Sequence, residues 1–440
     1  MRLLFAGLGA LLLAAPVYAQ TPPSVAAAPV KAAPELEARV KELIYVLSDR
    51  GDYETLFAPA FRAAVTKEAF ASVNAQLAAS AGKVTGLDSL VATDPWKAKL
   101  GIAYERGIAT MQIVVDPAPP HQIIGLRVAG MNTREASLEA IVASLASLPG
   151  TTGLAFARLD DAGPVVLKAH QADRPFATGS EFKLVILAEL VRAIGAGERR
   201  WSDMITLDGG PLPGGAYTAS AAGTQVSIYD VAEKMISVSD NSATDILLKL
   251  LGRNKVEAML PVVGVRNPAG MRPFLSTLEA FKLKGSPLGA RWQALNEAGR
   301  RALLAGEVAA MPVSAIDTTM FAAGKPLLID SVEWFATPAD MIRVMDWLRR
   351  HSETGEAARA RAILAKNSGI GAGSASNWQY VGFKGGSESG VIAMTLLLQA
   401  KDGRWHALSA SWNNGAAAVE DMRFAGLIGR AVELAATTTP

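Results

Sequence analysis

Three short clusters follow one another along this chain: Ser180-Glu181-Phe182-Lys183, Ser239-Asp240-Asn241 and Lys384-Gly385-Gly386. Between them they hold a hydroxyl nucleophile, an amine one helical turn away, a second hydroxyl able to carry a proton, and a distant cation for an anionic substrate. That equipment suits acyl transfer through a serine ester, where a weak nucleophile is activated by a neighbouring base. Ser180 follows Ala177-Thr178-Gly179 and precedes an apolar stretch that reads as a helix from Ser180 to Ile194. It is therefore expected at a helix N-terminus, where the macrodipole favours developing negative charge. Lys183 lies three residues on, on the same helical face, so its amine could reach the hydroxyl. To act as a base it must have a pKa lowered by burial and by a nearby cation, for which Lys384 is the candidate. Ser239 would pass a proton toward the leaving group, and Asn241 would orient Lys183 or a substrate amide. Gly385 and Gly386 would let a substrate approach the backbone. The N–H of Ser387 is then the candidate to form an oxyanion hole with the N–H of Ser180.

Each cluster alone has an ordinary reading. Ser-x-x-Lys can be a helix start with a solvated lysine, Ser-Asp-Asn a capping turn, and Lys-Gly-Gly a turn with a surface lysine. Their order, spacing and element types agree with one another, and that conjunction carries the weight.

The elements that must hold these residues come from both ends of the chain. Strand signals cover Thr152 to Leu159 and Pro164 to Ala169, with a hairpin connection at Asp160-Asp161-Ala162-Gly163. Further strands cover Gln379 to Lys384, Val391 to Ala400 and Trp405 to Trp412, with Asp402-Gly403 as the last turn. The middle, Ser227 to about Arg350, is helix-rich, and Ala416 to Ala435 reads as a closing helix. One sheet built from distant segments, with a helical insert beside it, would leave a cleft between the two.

Upstream, the order is helices first and strands later. Helices are expected at Glu35 to Leu47, Tyr53 to Phe57 and Lys67 to Ala79. Strands are expected at Leu100 to Tyr104, Ile108 to Val115 and His121 to Val128. This order suggests a small α+β unit over residues 34–131, similar in element order to cystatin-like or ketosteroid-isomerase-like domains. A helix from Asn132 to Leu148, capped by Thr133, would join it to the second unit, residues 132–440.

Residues 1–19 read as an export signal, with Arg2, an apolar run from Leu3 to Ala15, and a Val17-Tyr18-Ala19 cleavage site. A Pro/Ala-rich linker, residues 20–33, follows. The apolar run is short for a membrane span. The chain of 440 residues has no cysteine, which excludes disulfides, thiolate chemistry, cysteine-bound metal and a lipidated cysteine after the signal. A periplasmic or secreted location fits. A net charge of +2 gives no reason to expect a nucleic-acid partner. The four histidines, His121, His170, His351 and His406, show no metal-ligand spacing, and no cofactor is implied.

From about Gly150 onward the three clusters resemble those of penicillin-recognising serine hydrolases, specifically the class A β-lactamase-like branch. The stretches Asp173 to Lys183 and Asp230 to Asn241 carry the likeness. The N-terminal extension resembles that of the two-domain β-lactamase-like protein of the clavulanic-acid cluster. The resemblance implies an α+β β-lactamase/transpeptidase-like fold: an antiparallel sheet flanked by helices, with a helical subdomain. It makes Ser180 the nucleophile, Lys183 its base, Ser239 the shuttle and Lys384 the substrate anchor. Asn241, Gly386, Ser387 and the aromatic Tyr217 would border the substrate. The implied partner is a small-molecule β-lactam, a related amide or ester, or a peptidoglycan peptide. D,D-peptidase or esterase activity, and a noncatalytic cell-wall binding role, are the rival readings.

Two departures from that pattern stand out. Gly385 occupies the position where the family has a hydroxyl residue. The family's Glu-x-x-Leu-Asn, which activates the deacylating water, has its nearest match in Trp292-Gln293-Ala294-Leu295-Asn296, with tryptophan in place of the glutamate. Glu279 falls at a comparable distance after Ser239, but its flanking residues do not fit the motif.

Overall fold

The computed structural model describes residues 30–322 and 324–438. The expected signal and most of the linker lie outside the described residues. The linker's end is tied down: Ala32 is buried, and Ala33 N donates to Pro95 O at 2.9 Å.

The first unit packs the helices Pro34–Leu47, Tyr53–Leu56, Pro59–Ala64 and Lys67–Ala81 against an antiparallel sheet. Its strands are β1 (Val84–Asp94), β2 (Lys97–Tyr104), β3 (Gly107–Val115) and β4 (Ile123–Thr133), paired in sequence order. Leu36, Val40 and Leu43 recur at helical spacing, and Leu100, Ile102, Met111, Ile113 and Val115 recur at strand spacing. All eight are buried in one core, each contributing about 1.5–3 kcal/mol of apolar burial. Where a helix was expected from Asn132, the chain instead continues as β4. Thr133 pairs with Gly107, and the helix begins only at Leu138, capped by Ser137, whose hydroxyl accepts from Ala140 N at 3.2 Å. The β-branched Thr133 extends the ladder that its neighbours began.

The second unit is organised on a five-stranded antiparallel sheet. Its strands are β5 (Thr151–Asp160) and β6 (Gly163–His170) from one end of the sequence, and β11 (Tyr380–Glu388), β12 (Val391–Gln399) and β13 (Trp405–Asn413) from the other. The order is β11-β12-β13-β5-β6. The two-stranded pair β7 (Phe176–Ala177) with β10 (Phe335–Ala336), and the hairpin β8 (Met204–Thr206) with β9 (Gln225–Ser227), complete the strands. One sheet face, with Ala155, Ala157, Leu397 and Ala407, packs on the helix Pro338–His351, which in turn packs on the helix Lys183–Gly195. The other, with Leu154, Phe156, Leu396, Leu398, Leu408 and Trp412, packs on Leu138–Ala146 and Asp421–Thr438. Cover on both faces explains the unbroken apolar run Val391 to Leu398, which shows no alternation. This is the β-lactamase/transpeptidase-like α+β arrangement that the sequence implied.

The closing helix Asp421–Thr438 also reaches the first unit. It packs on β4 and on Lys67–Ala81, and Met422 joins the first core. At Gly426 a Cβ would stand 2.6 Å from Met131 O, so the helix backbone approaches the strand closely. Among the described residues no helix is long and apolar enough to cross a membrane.

Candidate active site

Ser180 sits in a tight turn clamped on three sides. Before it, β7 pairs with β10, and Asn413 at the end of β13 holds Ala177 at both backbone atoms, accepting from its N–H at 2.8 Å and donating to its carbonyl at 3.1 Å. Thr178 donates from both its N–H and its hydroxyl to Trp334 O, at 3.0 and 2.9 Å. Gly179 then takes φ +49°, the left-handed region that glycine enters without a Cβ penalty. Residues Gly179–Phe182 form a 3-10 turn, and the α-helix proper begins at Lys183, not at Ser180 as expected. The tighter turn is what lays the nucleophile's backbone on β11. A Cβ at Gly179 would stand 3.0 Å from Ser387 N. One at Gly386 would overlap Thr178 O and Ser180 N. The backbone of the Gly179–Ser180 turn and that of Gly386–Ser387 are therefore in close contact. Gly386→Ala should push the turn off the strand and lower turnover by about 10²-fold, the scale of losing an oxyanion donor. Steady-state kinetics with a melting curve would check this, with fold retained.

Behind the turn, Phe182 stacks on Trp334 with centroids 3.7 Å apart and meets Phe274 edge-on. That packing fixes the start of the helix, which is buried over most of its length, and turns Lys183 inward at 0% exposure.

Lys183 Nζ is bonded to Ser239 O at 2.6 Å, Asn241 Oδ1 at 2.7 Å and Ser239 Oγ at 3.1 Å. None of these bonds goes to Ser180. Burial, then the nearby Lys384 cation, brings its pKa down to about 6, against partial opposition from Asp245 and Asp240. At neutral pH it is then an uncharged amine with two N–H groups and a lone pair.

Ser239 sits at φ +57°, a rare position for a non-glycine residue, held by the start of the following helix Asn241–Leu251. Asp240 is the cap of that helix: its carboxylate accepts from Ala243 N at 2.8 Å, Ser242 Oγ at 2.6 Å and Ala216 N at 2.6 Å. Asp240 thus caps the helix, while Ser239 and Asn241 bond to Lys183.

Lys384, on β11 and 2% exposed, donates to Ser239 Oγ at 3.0 Å and to Gly385 O. Burial lowers its pKa to about 8, with Glu181 acting in the opposite direction. A single hydroxyl, Ser239 Oγ, thus stands between two lysine amines.

Gly385 has a steric reason. Its Cβ would meet the Phe383 ring at 2.7 Å, since residues two apart share one side of a strand. An aromatic edge lies where the resemblance implied a hydroxyl.

The remaining expected site residue fares differently. Tyr217 is nine-tenths buried, and its loop is fastened to the Ser-Asp-Asn helix by Tyr217 N donating to Ser242 Oγ at 3.0 Å. Its side chain borders a cavity of 290 Å³ shared with Met204, Gln225 and Asp230. It packs in the helical core beside the cleft. Glu279 is occupied elsewhere: it forms a capping box with Ser276, and both its carboxylate oxygens accept from one Arg253 nitrogen, at 2.6 and 2.7 Å. It makes no bond to Lys183.

Three features escaped the sequence reading. Asp245, one turn after Asn241 on the same helix face, accepts from Thr277 N at 2.7 Å and Leu278 N at 3.0 Å, and burial raises its pKa to about 6. Its position four residues after Asn241 was the available signal. Asn413 gives no local signal at all. The third is a buried cluster just past β11's Ser387: Lys284 lies 2.7 Å from Glu333 and 2.5 Å from Glu388, with Lys284 only 2% exposed. Burial first, then the neighbouring Glu333, holds the Glu388 carboxyl well above its usual range, against the pull of Lys284. Among the described residues no cluster of histidine, cysteine, aspartate and glutamate could hold a metal.

The model of the β-lactamase enzyme family matches residues 134–432, more than half of the chain. No curated protein matches. Among solved structures, the chain is similar to a β-lactamase from Sphaerobacter thermophilus, with 21% identity over 69% of this chain and 98% of that one, at a TM-score of 0.48. It is also similar to PBP-A, at 17% identity over 68% and 94% and a TM-score of 0.45. A β-lactamase from Chitinophaga pinensis is 15% identical over 69% and 97%, with a TM-score of 0.47. With the family model spanning the whole unit that carries Ser180, Lys183, Ser239 and Lys384, this chain belongs to the β-lactamase enzyme family of serine hydrolases.

Proposed function

We propose that the protein is an exported hydrolase that forms an acyl-enzyme on Ser180 with a β-lactam or a related amide or ester. Lys183, uncharged, takes the Ser180 proton as the hydroxyl attacks the carbonyl. The N–H groups of Ser180 and Ser387 receive the oxyanion. Ser239 passes a proton to the leaving group and is resupplied from Lys183, and Lys384 steadies Ser239 and any anionic group of the substrate. Water then releases the acyl group. The observation that carries this reading is the Ser239 hydroxyl held between a buried neutral amine and a second amine, one helical turn from Ser180.

Two features favour esters and small amides over efficient β-lactam turnover. The Phe383 edge removes a hydroxyl that would hold a substrate carboxylate. Among the described residues no carboxylate is bonded to Lys183 to serve as a base for deacylation. Intact mass after exposure to penicillin, with Ser180→Ala as control, tests the proposal. We expect an adduct on the wild type that persists for minutes and none on the variant, together with Ser180-dependent cleavage of p-nitrophenyl esters. Rapid penicillin loss without an adduct would instead mean a competent β-lactamase. Absence of adduct, penicillin loss and ester cleavage alike would sink the proposal.

A further inference from the structure

Glu181 has no part in the chemistry above. It lies between nucleophile and base in the 3-10 turn, is 0% exposed, and neither carboxyl oxygen meets a hydrogen-bond partner. An apolar residue would fill that space without desolvating a polar group, so burying the carboxyl carries a cost.

The turn rests on β11 and β12. There Lys384 pairs across strands with Thr395, and Thr395 pairs with Ser409, the two hydroxyls 2.9 Å apart. Directly paired residues share a sheet face, so these three form one buried polar row beneath the turn. Glu181 faces Lys384 and the Thr395 hydroxyl. The two groups that accept from Lys384, Ser239 Oγ and Gly385 O, are uncharged. Asp240 and Asp245 face Lys183, which Lys384 repels. Glu181 is thus the carboxyl that acts on Lys384.

We propose that Glu181 is a positioning residue that keeps the Lys384 ammonium charged as pH rises, its buried carboxylate opposing loss of the proton from the amine. Burial holds the Glu181 carboxyl up to about 8, so it is a neutral acid at pH 7 and ionises where Lys384 would otherwise begin to lose its charge. Rising pH ionises Glu181, and the anion so formed delays the loss of the Lys384 proton. The role rests on the proposed function only where activity is the readout.

Two measurements on the full-length protein test it. The first follows the 13Cε shift of Lys384 against pH in labelled wild type, Glu181→Gln and Glu181→Leu, with Lys384→Arg for assignment. The Lys384 titration should move down by about one pH unit in both variants, a ten-fold change in the charged fraction at alkaline pH. An unchanged titration overturns the inference, whether or not the protein cleaves esters. The second is kcat/KM for p-nitrophenyl acetate against pH. Both variants should match the wild type on the acid side and lose about ten-fold on the alkaline side. A loss equal at every pH would mark Glu181 as packing only and would equally overturn it. The leucine variant removes the buried polar group, so the test stands even if the glutamine variant folds poorly.

Discussion

Lys183→Met is expected to lower kcat/KM for an ester substrate by about 10³-fold, within the range for loss of a positioned general base. The fold should survive, because methionine fills the same buried channel and leaves no charge there. Lys183→Arg should be as inactive, although it keeps the cation, since a guanidinium does not give up its proton. The wild-type pH profile gives the sign. The amine works as a base only when uncharged, so activity rises as pH climbs through about 6. It falls again as Lys384 sheds its proton above about 8. In the methionine variant the acid limb should vanish, leaving a low rate without an inflection near pH 6. An intact acid limb would show that some other group is the base.

The largest effect on stability is expected at Lys284. Removing the amine by Lys284→Met leaves the buried Glu333 beside the partly exposed Glu388 without a cation, a change that costs about 3 kcal/mol. Thermal melting should fall by about 5 °C. Glu388→Gln should cost far less, because that carboxyl is already biased toward its neutral form by burial and by Glu333. The three residues come from the end of the Thr277–Lys284 helix, the segment before β10 and the end of β11. The cluster therefore ties together the segments flanking the nucleophile turn, and the methionine variant should also lose activity below its new melting point. Calorimetry of the two variants, side by side, would separate charge from packing. Equal losses would show that the cluster contributes only volume.

The three clusters were legible because each carries its chemistry in adjacent residues, and their elements have strong periodic signals. The Lys183–Gly195 helix and strand β12 are largely apolar runs between clear turns. What stayed hidden depends on contacts across long stretches of sequence. Asn413 grips Ala177 from 236 residues away, and nothing near either residue announces it. Strand β1 was unseen because it is a sheet edge: Gly86, Asp88 and Ser89 interrupt it and much of it is exposed. The start of the nucleophile helix was misplaced by one turn, since a left-handed glycine and a 3-10 turn leave no mark in periodicity. Glu181 lay in full view inside the first cluster, but only the sheet beneath it gives the side chain something to act on.

The last helix seals two interiors at once, with Met422 on one side and Phe424, Leu427 and Ile428 on the other. The leading α+β unit consequently does not swing as a bead on a string. Whatever surface it offers to the cell is presented at a set bearing to the cleft, like a jig bolted to the same bench as the tool.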